Sequence, residues 1–101
     1  MVERQSIKEE NIEEIRRKLI SRFRDELPVL RARARISQET LAEKIGISRQ
    51  TYSSIETGKR EVTWTTFLAL VAYFQNNEQI RQMIDMIEDF EKDMAIVMEG
   101  K

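Results

Sequence analysis

The sequence predicts an all-α fold, and three observations lead there. Glycine (3) and proline (1) are scarce among 101 residues, which favours long helices joined by short loops. Apolar residues recur at three- and four-residue steps along most of the chain, the period of a buried helix face. The candidate boundaries carry helix signals, with a capping side chain before an apolar stripe or a glycine after it.

Ile12, Ile15, Leu19, Phe23 and Leu27 form the first stripe and predict an amphipathic helix over about residues 7–24. Glu9, Glu10, Glu13 and Glu14 precede Arg16, Arg17 and Lys18, an order that suits the helix dipole and offers Glu13–Arg17 and Glu14–Lys18 pairs. Pro28 predicts a break, with Asp25 capping a new helix that runs to about Ala34. Ser37 caps the next helix, which carries Leu41, Ala42 and Ile45 and stops at Gly46. Ser48 caps another, with Tyr52 and Ile55 facing inward and Gly58 at its end. Thr63 or Thr65 caps a helix through Phe67, Leu68, Leu70, Val71 and Phe74, and Asn76-Asn77 breaks it. Beyond, Ile80, Met83, Ile87, Phe90, Met94 and Val97 keep a strict 3-4-3-4-3 spacing, the a/d seam of one long helix, widened by Ile84, Met86 and Met98. The chain thus divides into an N-terminal amphipathic helix (1–26), a compact core (27–75) and an acidic amphipathic C-terminal helix (76–101).

Composition excludes several classes of function. Hydrophobic residues are 41% and charged residues 35%, with no Cys and no His. Disulfides are ruled out and the usual metal ligands are missing, so no metal and no cofactor is expected. No apolar run approaches the ~20 residues that span a bilayer, and Met1–Ser6 lacks an apolar leader core. A cytoplasmic chain without a membrane partner is expected. There is no glycine-rich phosphate loop, no Ser-His or Cys-His pair can exist, and no carboxylate pair stands out, so the chain is not expected to be an enzyme. Net charge is −1, but its distribution is uneven. Residues 16–35 hold eight Lys/Arg against Asp25 and Glu26, whereas residues 75–101 hold three against seven acids. That asymmetry predicts one face for an anion and another kept away from it.

Residues 37–58 lay out helix, glycine-containing turn and helix within about twenty residues, the pattern of a helix-turn-helix. Ala42 stands where the two helices cross closely, and Gly46 suits a turn that a Cβ would resist. Leu41, Ile45, Ile47, Tyr52 and Ile55 supply the small core, while Arg49, Gln50, Ser53 and Ser54 fall on the outward side of the second helix. All four can hydrogen-bond and none is acidic.

From Leu27 to about Phe74 the chain resembles the lambda-repressor and Cro-like (XRE) helix-turn-helix family. The resemblance rests on Leu30-Arg31, on the run Ile36 to Ser48 with its Ser37-Gln38, Leu41-Ala42 and Gly46, and on Ile55-Glu56-Thr57-Gly58-Lys59. It implies a five-helix core that docks on double-stranded operator DNA as a dimer, here extended by N-terminal and long C-terminal amphipathic helices. By position it implies base contacts for Arg49, Gln50, Ser53 and Ser54, pairings that suit major-groove edges. It implies phosphate contacts for Gln38, Ser48, Thr57, Lys59 and Arg60, and a partly buried structural ion pair between Arg31 and Glu56. The sequence departs from the family at Tyr52, where an aliphatic residue is usual, and at Arg35, where glycine is common. One helix-turn-helix covers little DNA, so a homodimer is expected, with Ile80, Met83, Ile87, Phe90, Met94 and Val97 as its interface; the alternative is that this stripe packs on the chain's own N-terminal helix through Ile12, Ile15 and Leu19. The expected function is transcription regulation by a repressor bound to an inverted repeat. The alternative is an antitoxin or protein-interaction module of the same fold, bound to a partner protein.

Overall fold

A computed structural model describes residues 2–99, with side chains from residue 11 onward. The side chains of Glu9 and Glu10, and Lys101, lie outside the described residues. Six helices follow one another: α1 (Val2–Ala34), α2 (Gln38–Ile45), α3 (Arg49–Glu56), α4 (Trp64–Gln75), α5 (Glu78–Asp85) and α6 (Phe90–Glu99). No strand occurs among the described residues, so the fold is all-α. No described helix is long and apolar enough to cross a membrane.

The break predicted at Asp25–Pro28 is absent, and α1 runs through Pro28 for 33 residues. Leu19, Phe23, Leu27 and Leu30 are all buried, so a single apolar stripe crosses the proline without changing face. A proline inside a helix costs ~3 kcal/mol relative to alanine. Burying Leu27 and Leu30 recovers ~1.5–3 kcal/mol each. Pro28 itself lies on the exposed side, where water can reach the Arg24 carbonyl that the ring leaves without its amide partner.

Helices α1, α2 and α3 end in the same way. The amides of Ile36, Ile47 and Lys59 reach back to the carbonyls of Arg31, Ala42 and Ser54 at 3.1, 3.0 and 2.9 Å. The residue before each is left-handed: Arg35 at φ 56°, Gly46 at 82° and Gly58 at 81°. At Arg35 this conformation costs ~1–2 kcal/mol that glycine would not bear. The starts of α2, α3 and α4 share a device too. Ser37, Ser48 and Thr63 accept from the amides of Thr40, Thr51 and Thr66, and the paired hydroxyls bond at 3.0, 2.9 and 3.0 Å.

The long C-terminal helix is two helices. α5 stops at Asp85, Met86 to Asp89 turn, and Asp89 takes φ 60° before α6 begins. The seam residues face the chain's own core: Ile80, Phe90 and Val97 are buried, and Met83, Ile87 and Met94 pack partly against them. Ile84, set beside the seam by the heptad reading, is fully buried, while Met86 is 85% exposed. The 3-4 spacing survives because each short helix contributes its own inward residues at helical period.

Phe23 of α1 centres the core, edge-on to Phe67 at 5.4 Å and Phe74 at 6.4 Å, with Phe90 of α6 at 6.3 Å. α1 packs against α3, α4, α5 and α6, so one spine organises the molecule.

Candidate nucleic-acid interface

The helix pair α2–α3 is fixed from inside. Ala42 is 1% exposed, and Leu41, Tyr52 and Ile55 are buried with it. Ile45 and Ile47 pack partly against this cluster. Gly46 makes the left-handed link that lets α3 turn away from α2.

A buried carboxylate then locks α3 to two other helices. Glu56 accepts from Arg31 through two parallel bonds, Nε to Oε2 at 2.9 Å and Nη2 to Oε1 at 3.0 Å. Gln38 Nε2 donates to Oε1 at 2.9 Å, and the Tyr52 hydroxyl donates to Oε2 at 2.6 Å. Arg31 also donates from Nη1 to the Ile36 carbonyl at 3.3 Å, bracing the loop after α1. Side-chain exposure is 8% for Glu56 and 21% for Arg31, so the pair is largely shielded from solvent. Burial by itself would raise the Glu56 carboxyl. The donors Arg31, Tyr52 and Gln38 together outweigh it and hold the carboxyl below its ordinary value. Burial, followed by its bond to the carboxylate, pushes the Tyr52 phenol well above the usual tyrosine range. The Glu56 hydrogen bond raises Arg31.

With Glu56 turned inward, α3 shows no carboxylate outward. Arg49 and Gln50, its first two residues, are exposed, and Ser53 and Ser54 one turn later are half-buried. Arg31, Ser37, Gln38, Glu39 and Arg49 line one shallow cleft where the ends of α1, α2 and α3 converge. Gln38 gives one of its two amide N–H donors to Glu56. Lys59 and Arg60 stand exposed at the other end of α3, with their amides held by the Ser54 carbonyl at 2.9 and 3.1 Å. Two residues placed with the phosphate contacts are committed elsewhere. The Thr57 hydroxyl donates to the Ser53 carbonyl at 3.0 Å, and the Ser48 hydroxyl is bonded to that of Thr51 at 2.9 Å. Both oxygens build helix ends.

The basic stretch 16–35 is not one open face. Arg22 lies 3.8 Å from Asp89 and 3.9 Å from the buried Asp93, and donates to the Glu88 carbonyl at 3.2 Å. Arg16 sits 5.0 Å over the Trp64 ring, which stacks on Phe67 at 4.9 Å. With Arg31 on Glu56, three of its eight cations serve internal contacts. Sequence reasoning missed the Arg22 and Arg16 contacts, whose partners lie tens of residues away, with only opposite charge and aromatic character as signals. No group of acids suited to a metal occurs among the described residues.

A family model described as a helix-turn-helix domain matches residues 22–79, more than half of the chain. The chain belongs to the helix-turn-helix domain family. No curated protein and no solved structure matches it. The helix-turn-helix match opens inside α1 and closes inside α5, so α6 lies outside it. An all-helical molecule carrying this domain points to DNA binding and regulation as its class of function.

Proposed function

We propose that this helix-turn-helix protein is a sequence-specific regulator of the lambda-repressor and Cro-like type, a cytoplasmic repressor that binds an inverted repeat in double-stranded DNA as a homodimer. The observation that carries the reading is the outward side of α3. Arg49 and Gln50 are exposed at its start, its one acid is turned inward, and the Glu56 network ties the helix to α1 and α2. An arginine and a glutamine on a helix held this rigidly suit bidentate readout of guanine and adenine in the major groove. Lys59 and Arg60, at the far end of α3, suit the flanking phosphates, and so does the remaining amide N–H of Gln38.

Selection of bound sequences from random duplexes, followed by mobility shift at two salt concentrations, tests this. Arg49→Ala and Gln50→Ala relax the preference, each costing ~1–3 kcal/mol at its base pair. Lys59→Ala weakens all duplexes alike and flattens the salt slope by about one. A selected consensus unchanged by Arg49→Ala would sink the assignment of α3 as the reading helix.

A further inference from the structure

We infer that the groove between α4 and α6 is the homodimer surface, filled by α6 of a second copy. Most of the heptad seam cannot serve there, because the chain's own core covers Ile80 and Val97 and leaves only Phe90 and Met94 at the groove. What α6 leaves outside is a second stripe. Met94 is half-buried, Ala95 is exposed and Met98 is 59% exposed, and these line a groove floored by Phe90 and walled across by Ala72. Ala72 and Ala95 are small, so a partner helix can approach the groove closely, with Met98 as the apolar anchor.

The choice of a second copy rests on the rims. Arg81 and Asp85 of α5 and Glu91 of α6 border the groove and are exposed, and none of them has an ion-pair partner among the described residues. A two-fold contact sets a patch against itself, so it needs both signs of charge around an apolar centre. Here Arg81 of one copy meets Glu91 of the other, twice. α6 packs on α1 and α5, whereas α3 packs on α1 and α2, so pairing through α6 leaves the reading helix uncovered. One wall of the groove, α6, lies outside the matched domain and the other, α4, within it, so the surface forms only where this chain's extension meets the domain. It rests on the DNA-binding reading only for the reason two copies are needed.

Sedimentation of the full chain without DNA tests the surface separately from that reading. The wild-type chain sediments as a dimer, and Ala95→Glu with Met98→Glu halves the mass while the helical circular dichroism spectrum is kept. Arg81→Glu and Glu91→Arg each weaken the dimer, and the two together restore it, which a general loss of folding does not imitate. A monomeric wild-type chain overturns the inference and leaves the groove to a different protein. So does a doubly substituted chain, Ala95→Glu with Met98→Glu, that remains dimeric. A monomeric variant that binds the full inverted repeat as tightly as wild type upholds the surface and overturns the dimeric-operator reading.

Discussion

Glu56 receives four donor contacts from three side chains. Removing the carboxylate strands a shielded guanidinium, so Glu56→Ala is expected to cost ~3–5 kcal/mol, and Arg31→Ala with Glu56→Ala less than the sum of the singles. Thermal melts of the three variants decide it, and strict additivity would mean that the pair contributes no coupling. The depressed carboxyl adds a pH dependence. Below its ordinary pKa of ~4.3 the unfolded chain binds a proton that the folded chain resists, so this contribution is present above that pH and is lost as pH falls through the folded value. The stability gap between wild type and Glu56→Gln is therefore expected to narrow on acidification in urea titrations. Tyr52 faces the core as its helical position predicts, and its hydroxyl meets Glu56 one helical turn on, at i+4. The Arg22 and Arg16 contacts were not legible, because charge and aromaticity do not say which distant element will lie alongside.

Element boundaries were legible where a cap is chemical and illegible where packing overrides propensity. Ser37, Ser48, Gly46 and Gly58 mark real helix ends, and the structure selects Thr63 over Thr65 as the cap of α4. Pro28 predicts a break, but the apolar stripe at Leu19, Phe23, Leu27 and Leu30 runs through it at unbroken period, and burial of that stripe offsets the local cost. Since Pro28 is exposed and the helix continues past it, Pro28→Ala restores an amide without touching the core. It is expected to raise stability by up to ~3 kcal/mol, reduced by the freedom alanine returns to the unfolded chain. Urea midpoints measure this, and a destabilised variant would show that the proline sets a bend the packing requires. At α5–α6 the error ran the other way: a regular heptad concealed a turn. Asp89, a residue type that tolerates left-handed backbone, was the local sign of it.

At the scale of the molecule, α1 joins what the sequence divided. The first buried residue among those described, Leu19 of α1, and the last, Val97 of α6, belong to one core. The matched segment, residues 22–79, therefore holds only part of the buried core. Excising it would cut α1 above Phe23 and α5 before Ile80, removing Leu19, Ile80, Ile84, Phe90 and Val97 and baring the aromatic cluster around Phe23. Losses of this kind cost ~2–5 kcal/mol per large side chain in the truncation analogue, against a total stability of ~5–15 kcal/mol for a typical domain. A fragment of residues 22–79 is expected to lack a cooperative melt while the full chain shows one, by Trp64 fluorescence and far-ultraviolet circular dichroism alike. Its reading helix would keep every side chain named for DNA contact and still have no fixed platform from which to present them.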